Sequence, residues 1–542
     1  MCMKRSLDTF PSQTYYFSVK LHTVKTVSES DKEKFSDSDS DSESPDNEDI
    51  LESIMKVKKP LTSLEWENVK TEVCSKRRFL NEYNIDGIVL LLCIKYKQLG
   101  IGLSYLEHLS QIGKKPNFAT VGHFMRLCYN CQEEGVNEQL ILSLYDELRA
   151  KCSVLDASTS ENMILGLCLT SRWREAVELI DMIKLTCNPG GLEYCAVIKK
   201  AFENDEVGLS TKCLEEMLQI GRLPRPEVYL SWLDYLDRLC SGDVRVRWRK
   251  VEETVLSFLV DNDLVPTRVV AERLREWHKV AAPGNCSEFT SVTHRGVCKS
   301  CKKFLNPIKI TRTEFEKLQS AFLEKVVIGR DMFSKTTPEE LENFKRYVKS
   351  TAPYDIVLDG LNIAYAMGKK NSYTNFAFSL EKVVEHFTMK SQKVLVLGRK
   401  HMQSWPRKYM NSVYKNARVF LAQNMSQDDP FLLYAALYSG EGTNFLSRDL
   451  MRSHSYLLKD KDLKSTFKRW QLQHQYQLQY ITQQGTVHLK LPLNFNPMVQ
   501  RSSDGTWHIP YDAEYSANPP EVFEAPTCWL CLASVRNSSR TK

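Results

Sequence analysis

The hydrophobic and polar positions divide the chain into two regions of different periodicity. From residue 61 to about residue 280, apolar residues recur at helical spacing in stretches that break every 15 to 20 residues. Such amphipathic stretches predict a helical region. From residue 351 onward, short apolar runs alternate with helical segments instead. The pattern therefore predicts an α-helical region followed by an α/β domain.

The α/β region contains four short apolar runs that predict strands. Segments of helical periodicity, at 376–389 and 430–438, lie between them. Because strands that alternate with helices form βαβ units, they predict a mostly parallel sheet that is covered on both faces. The four predicted strands are 354–359, 393–398, 417–422 and 444–447.

The helical region repeats with a period of 35 residues, at which Leu144, Leu179 and Leu214 align. Two further sets align in the same way: Asp146, Asp181 and Glu216, and Leu148, Ile183 and Leu218. A pair of helices cannot bury its apolar face alone, so such units stack into a solenoid. The segment 160–189 resembles a pentatricopeptide repeat, with the small residue Gly166 where helices approach closely. That family binds single-stranded RNA. A protein-binding solenoid of the tetratricopeptide type is the alternative.

Composition and charge favour a globular protein that binds a polyanion. Of the 542 residues, 42% are hydrophobic and 26% are charged. Uninterrupted apolar runs are short, and the run 88–94 has seven residues, whereas a membrane helix needs about 20, so no membrane association is predicted. The net charge is +6, but residues 29–52 carry −9, which leaves +15 on the rest of the chain. That excess is suited to nucleic acid.

The two N-terminal segments are predicted to lie outside the folded domains. Residues 1–28 contain four basic residues and one acid, Asp8, with frequent hydroxyl side chains. This composition is typical of a mitochondrial transit peptide, and a disordered terminus is the alternative. Residues 29–60 include an alternating run of serine with aspartate or glutamate at 36–43. Such a run cannot bury a core and predicts a disordered linker.

Aspartates follow three of the four predicted strands. Asp359 ends the first strand, Asp449 follows the fourth, and Asp428 and Asp429 follow the third and open a helix. Because the carboxyl ends of parallel strands share one edge, we expect the four carboxylates to lie together there. Mg²⁺ is the cation that such oxygen ligands and a phosphate prefer. Helix capping or turn formation is the alternative for each acid taken singly.

Four motifs in this region resemble protein-only ribonuclease P, and its metazoan mitochondrial branch in particular. They are VLDGLNIA, LVLGRKHM, SQDDPFLLYAAL and SRDLMRSH, in this order behind the repeats. The resemblance covers roughly residues 61–532. It implies a pentatricopeptide-repeat RNA-binding domain over 61–280 and an NYN/PIN-like metallonuclease domain over 351–489. It also implies an endoribonuclease that removes the 5′ leader of precursor tRNA.

The resemblance assigns roles to individual residues. It places catalytic Mg²⁺ or Mn²⁺ on Asp359, Asp428, Asp429 and Asp449. Residues that follow the second strand, on the same sheet edge, are candidate phosphate contacts, with a solvated loop as the alternative: Arg399, Lys400 and His401. Weaker candidates for supporting the site are Asn362, Arg452 and His454.

The resemblance also implies the setting in which the chain works. It implies the mitochondrial matrix, and a complex with a tRNA methyltransferase and a short-chain dehydrogenase. Two other functions stay open from the residues. One is a non-catalytic RNA-binding adaptor whose acids act only as caps, and the other is a PIN-type nuclease acting on other RNAs.

A zinc site is predicted around the pair Cys298 and Cys301. Two cysteines at this spacing form half of a tetrahedral zinc site. Spacing alone would complete the site with Cys528 and Cys531. The family resemblance points instead to His508 and Cys531, which makes a Cys₃His site with Cys528 as the alternative fourth ligand.

Either ligand set ties the C-terminus to the segment before the nuclease domain. The sequence therefore predicts a zinc-stapled connector made of residues 285–350 and 490–542, into which the nuclease domain is inserted. Structural Zn²⁺ is the second expected cofactor.

One further segment suits RNA, because it combines cations with an aromatic ring. Arg245, Arg247 and Arg249 surround Trp248. Such a segment can grip an RNA backbone and a base. The solvated face of a helix is the equal alternative.

Overall fold

The computed structural model describes most of the chain between Ile50 and Ala533. The described residues are 50–76, 81–152, 154–326, 337–366, 368, 372–423, 429–449, 451, 458, 460–516 and 525–533. The predicted transit peptide, residues 1–28, lies outside them. Across these described residues, no helix has the length and apolar character needed to span a membrane.

The first part of the chain is helical. Its helices are α1 Ile50–Val57, α2 Ser63–Lys76, α3 Ile85–Tyr96, α4 Leu99–Gln111, α5 Phe118–Asn130, α6 Glu138–Lys151, α7 Ala157–Leu167, α8 Glu175–Lys184, α9 Gly191–Glu203, α10 Val207–Gln219, α11 Pro226–Leu239, α12 Val244–Val251, α13 Ser257–Asp261 and α14 Arg268–Ala281. A short 3₁₀ turn, Gln132–Glu134, follows α5, and a π-helical turn, Glu252–Leu256, joins α12 to α13. Side chains of Asn117, Asn137 and Asp156 accept backbone N–H groups at the starts of α5, α6 and α7, which satisfies donors left open at a helix N-terminus.

Helical hairpins stack in this region, as the 35-residue period predicts. The first helices of successive hairpins, α3, α5, α7, α9 and α11, pack against one another in chain order. The aligned Leu179 and Leu214 are buried in the second helices α8 and α10. A Cβ added to Gly166 of α7 would lie 2.5 Å from Met125 Sδ of α5, so only glycine allows this close approach. The prediction of a pentatricopeptide-type solenoid is confirmed.

Helix α1 corrects the predicted extent of the N-terminal linker. Its residues, Ile50–Val57, fall within the stretch 29–60 that was expected to be disordered. Leu51 and Met55 are buried against the repeats. The acidic run ends before these apolar residues begin, and one apolar face is enough to bind a short helix to α3.

A small antiparallel sheet connects the repeats with the second domain. Its strands, in spatial order, are β1 Cys286–Thr290, β10 Trp529–Ala533, β9 Trp507–Pro510 and β8 Gln500–Arg501. Side chains of Trp507 and Leu530 join the hydrophobic core of the repeats, and the Trp507 indole N–H donates to Glu252 Oε1 at 2.7 Å. The connector and the repeats therefore share one core.

The nuclease-type domain is built on a six-stranded sheet. In spatial order its strands are β4 Arg418–Ala422, β3 Val394–Arg399, β2 Ile356–Asp359, β5 Asn444–Leu446, β6 Gln475–Ile481 and β7 Val487–Lys490. Every neighbouring pair is parallel except β6 and β7. The predicted mostly parallel sheet is therefore confirmed, and the antiparallel β6–β7 edge is an addition that the apolar runs did not predict.

Helices cover both faces of this sheet. They are α15 Arg312–Ser320, α16 Pro338–Thr351, α17 Gly360–Tyr365, α18 Tyr373–Thr388, α19 Arg407–Asn416, α20 Asp429–Ser439 and α21 Lys461–His474, with a π-helical turn Ala321–Val326 after α15 and a 3₁₀ turn Lys400–Ser404 after β3. Phe315 of α15 and Phe344 of α16 are buried in the same cluster as Trp470 of α21. Residues from α15 onward thus pack with the nuclease domain, although the sequence assigned 285–350 to the connector.

Candidate active site and metal centre

Asp359 lies at the carboxyl end of the central strand β2. Its Oδ1 accepts the backbone N–H of Asn362 at 2.9 Å, which caps α17. The side chain is 7% exposed. A Cβ added to the next residue, Gly360, would lie 2.7 Å from the carbonyl oxygen of Leu397. Glycine therefore lets α17 begin directly beside β3, and this places the carboxylate at the sheet edge.

Asp449 follows the neighbouring strand β5 at the same edge. Leu446 pairs with Leu358, so Ser447 comes next to Asp359. The Ser447 hydroxyl is fully buried and donates to Asp359 Oδ2 at 3.2 Å, and it accepts the Asp449 N–H at 3.1 Å. The two aspartates are thus linked through one serine, as the strand pattern led us to expect of residues at one edge.

The third strand leads to the same edge. Asp428, and the side chain of Asp429, lie outside the described residues, but α20 begins at Asp429. After β4 ends, the backbone N–H of Gln423 donates to the carboxylate of Glu340, which is nearly buried. Glu340 therefore anchors the chain just before the stretch that carries the paired aspartates. This residue was not predicted from the sequence.

The basic residues after β3 lie at this edge as well. Arg399 ends β3 in register with Ala422 of β4. Lys400 is exposed, and the His401 ring lies 6.3 Å from the ring of Trp405. Positive charge therefore flanks the carboxylates, which suits a phosphate-bearing substrate.

Of the weaker candidates, only Asn362 lies in the described part of the chain, since Arg452 and His454 do not. The Asn362 side-chain oxygen accepts the backbone N–H of Arg448 at 2.9 Å. Together with the cap on Asp359, this bond holds α17 against the segment that carries Asp449.

The connector brings together four residues that can hold a metal ion. Ligand atoms of Cys298, Cys301, His508 and Cys531 all lie within 4.8 Å of one another. His508 Nε2 is 3.3 Å from Cys301 Sγ. Cys528 is exposed and is not in this cluster. Strands β9 and β10 explain the difference, because His508 pairs with Cys531 in register, whereas Cys528 precedes β10.

The side chains of the cluster interact strongly with one another. Hydrogen bonds from Cys301 and Cys531 lower the pKa of Cys298. Burial acts to lower the pKa of His508, but hydrogen bonds with Cys298 and Cys301 outweigh it and raise that pKa to about 9. Three sulfurs and one imidazole nitrogen form the donor set of structural zinc sites. The residues present therefore fit Zn²⁺.

In the basic aromatic segment of α12, two of the residues predicted to contact RNA pack against other side chains of the protein instead. Trp248 is buried and packs edge-to-face on His278 at 4.9 Å. Arg247 forms an ion pair with Asp237, and its guanidinium lies 4.2 Å from the Trp277 ring centroid. These contacts correct the prediction that Arg247 and Trp248 face RNA, because both belong to the packing of the last repeat.

The other two arginines of this segment remain accessible to RNA. Arg245 and Arg249 are exposed. They lie two residues after the N-cap Asp243 and in the last turn of α12, respectively. Helical periodicity explains the split, since alternate arginines of a short helix face different sides.

Comparison with known proteins agrees with this architecture. The family model for protein-only RNase P matches residues 292–531. The chain is 30% identical to the mitochondrial ribonuclease P catalytic subunit of Mus musculus over 89% of this chain and 80% of the mouse protein. It is 31% identical to the Rattus norvegicus subunit over 88% of this chain and 78% of the rat protein. The chain belongs to the protein-only ribonuclease P family. It is accordingly an endoribonuclease of tRNA processing, as predicted.

The fold agrees with that of a solved member of the family. Nuclear proteinaceous RNase P 2 from Arabidopsis thaliana superposes with a TM-score of 0.52 at 16% identity, over 84% of this chain and 100% of the plant protein. At this identity the likeness concerns the fold alone. The fold is thus shared with that plant protein over most of the length of this chain.

Proposed function

We propose that the chain removes the 5′ leader of precursor tRNA by hydrolysis that divalent cations assist. The product ends would be a 5′-phosphate on the tRNA and a 3′-hydroxyl on the leader. The observation that carries this proposal is the placement of Asp359 and Asp449 at one sheet edge, linked by Ser447. Basic residues flank that edge, as a substrate phosphate requires.

The proposed ligands of Mg²⁺ or Mn²⁺ are Asp359, Asp428, Asp429 and Asp449. When bound, these ions would supply a water of lowered pKa and would stabilise the leaving oxyanion. The chain itself holds Asp359 by hydrogen bonds from Asn362 and Ser447. Arg399, Lys400 and His401 are proposed to hold the phosphate and orient it toward these carboxylates.

The proposed role of the Cys₃His cluster is structural. Zn²⁺ held there would fix the turn at Cys298 and Cys301 to β9 and β10. Because β9 and β10 pack on the repeats, the metal would set the position of the nuclease domain relative to the RNA-holding domain.

Precursor tRNA would be held by the repeats and by the exposed Arg245 and Arg249. We further propose a complex with a tRNA methyltransferase and a short-chain dehydrogenase. Both rodent relatives are named as catalytic subunits, which supports work in a complex.

Their names also support a mitochondrial location, and we propose the matrix, with residues 1–28 as the transit peptide. A fluorescent protein fused to residues 1–28 should accumulate in mitochondria, and import into the matrix should protect it from added protease. Exclusion of the fusion from mitochondria would contradict the proposed targeting.

The purified chain should be assayed on one precursor tRNA, with and without the two partner proteins, in Mg²⁺ and in Mn²⁺. We expect a single cut at the junction of leader and tRNA, and end-group analysis should find a 5′-phosphate on the tRNA. Tight tRNA binding without cleavage under all of these conditions would favour the adaptor function. Equal cleavage of unrelated structured RNAs would favour a PIN-type nuclease of other specificity.

A further inference from the structure

We propose that Gln475 is a positioning residue for the metal-binding edge, acting together with Ser447. This inference rests on the proposed function of Asp359 and Asp449. Gln475 is the first residue of β6, which pairs in parallel with β5. Its side chain would hold the segment that carries Asp449, and Ser447 would transmit that position to Asp359.

The contacts of Gln475 are directed at the backbone around Asp449. Its Nε2 group donates to the carbonyl oxygens of Ser447 and Asp449, at 2.8 Å each. One amide therefore grips the chain on both sides of residue 448. Asp449 is itself exposed, so its side chain is not held by burial. Its carboxylate accepts the backbone N–H of Met451 at 2.5 Å, and the bonds to the surrounding backbone determine where that side chain begins.

The orientation of the Gln475 amide is also determined. Gln471, one turn earlier in α21, donates its Nε2–H to Gln475 Oε1 at 2.7 Å. With its oxygen engaged in this way, Gln475 turns its NH₂ group toward the two carbonyls. Both glutamines line a cavity of about 500 Å³ where the repeats, the connector and the nuclease domain meet. The support for Asp449 therefore comes from the domain junction.

Ser447 completes the path to the second carboxylate. Its hydroxyl is fully buried, donates to Asp359 Oδ2 and accepts the Asp449 N–H. A hydroxyl has one hydrogen to donate and two lone pairs that accept, so it can make both bonds at once. The separation of the two proposed ligands is thus determined by hydrogen bonds that run from Gln475 to Ser447. Outer partners of metal ligands typically contribute about 10- to 100-fold in metal affinity or activity.

The test uses Gln475→Met in the full chain, which keeps the side-chain length but removes both donated bonds. The matched control is Gln473→Met, because Gln473 lies two residues earlier, in α21, but donates to the carbonyl of Ile308 at 3.0 Å, away from the site. Mn²⁺ binding is measured directly by electron paramagnetic resonance of free Mn²⁺, and cleavage is measured against Mg²⁺ concentration with a matched set of precursor tRNA concentrations.

For Gln475→Met we expect Mn²⁺ affinity and the Mg²⁺ requirement for cleavage to weaken by about 10-fold or more, with KM for precursor tRNA within about twofold of wild type. Gln473→Met should leave both metal measurements unchanged. Ser447→Ala should act like Gln475→Met, and Ser447→Thr, which keeps the hydroxyl, should restore most of the metal affinity. Loss confined to thermal stability, with unchanged metal binding, would overturn the positioning role.

Two further variants keep the result interpretable. If Gln475→Met does not fold, Gln471→Met decides, since it leaves Gln475 in place but removes the bond that orients it. A normal metal requirement in Gln471→Met would then count against the proposal. Asp359→Asn distinguishes a failure of the proposed function from a failure of the positioning role. If Asp359→Asn stays fully active, the proposed function is wrong, whereas an inactive Asp359→Asn beside a Gln475→Met of normal metal affinity overturns only the positioning role.

Discussion

Cys301 Sγ and His508 Nε2 lie 3.3 Å apart, although 207 positions separate these residues in the sequence. The whole nuclease domain is inserted between them. In the connector, β1 comes before that domain in the sequence, β9 and β10 come after it, and the three strands pair side by side. Zinc at this point would fix both ends of the insertion at once.

Removal of a zinc ligand should therefore release metal and loosen the domain junction together. In Cys298→Ser and His508→Ala we expect the zinc content per chain to fall and the melting temperature to drop by roughly 5 °C or more. Cys528→Ser is the matched control, because Cys528 is exposed outside the cluster. Elemental analysis and thermal unfolding provide the two measurements. Zinc loss in Cys528→Ser with zinc kept in His508→Ala would instead support a Cys₄ site.

The arginines of α12 should separate into two classes. Arg245→Glu with Arg249→Glu should weaken precursor tRNA binding and reduce the slope of log K against log salt by about 2, since each phosphate contact contributes about one unit. Their melting temperature should not change, because both side chains are exposed.

Arg247→Met should show the opposite behaviour. It removes the ion pair with Asp237 and the contact with the Trp277 ring, which together contribute about 1–2 kcal/mol. Its melting temperature should fall while its binding slope stays at the wild-type value. Filter binding over a salt series and thermal unfolding check both classes, and a changed slope in Arg247→Met would return that residue to the RNA surface.

Several elements could be predicted from the sequence because their signals are local. The four predicted strands match β2 to β5 within two residues at each end, since buried parallel strands are short apolar runs. The pairing of β6 with β7 was not predicted. Residues 475–480 alternate glutamine with tyrosine or leucine, a pattern typical of a half-buried strand, but they lack the continuous apolar run by which the buried strands were predicted.

Contacts between distant residues were harder to predict. Spacing alone favoured Cys528 with Cys531, because two residues between cysteines is a local pattern. His508 joins the site only through the antiparallel register of β9 and β10, which the sequence does not display. Ser447 was missed for a similar reason, since its role depends on which strand lies beside β5. Trp248 was predicted to be exposed because arginines surround it in the sequence, although it lies on the buried face of its helix.

The ion pair between Glu314 and Arg469 should make stability depend on pH. Arg469 Nη2 donates to Glu314 Oε1 at 2.7 Å and joins α15 to α21. The bond from Arg469, with a backbone bond from Thr311, lowers the pKa of Glu314 from 4.5 to about 2. A lowered folded-state pKa stabilises the protein above the unfolded value, and this contribution is lost as the pH falls toward 2.

In Glu314→Gln we therefore expect the free energy of unfolding to fall by about 1 kcal/mol at pH 7, a value reduced for solvent screening because both side chains are about one-third exposed. The difference from wild type should shrink as the pH is lowered below about 4.5. Denaturant unfolding at several pH values measures it. Glu316→Gln is the control, since Glu316 pairs with Arg312 at an exposed i,i+4 position and should differ little from wild type at any pH.

Asp355 directly precedes β2 and Asp359 ends it, so the two residues allow a sharp test of the carboxylate edge. Asp359→Asn keeps the shape of the side chain and an oxygen that accepts the N–H of Asn362, but it removes the charge that a divalent cation requires. We expect kcat to fall by at least about 100-fold, more than an outer partner of a metal ligand contributes, with precursor tRNA binding nearly unchanged.

Asp355 is exposed and accepts the N–H of Lys393 at 2.6 Å, where that strand begins. Asp355→Asn should therefore cleave at close to the wild-type rate. Single-turnover cleavage at saturating enzyme measures the cleavage rates of the two variants independently of their affinity for tRNA. Equal rates in both would remove Asp359 from the active site.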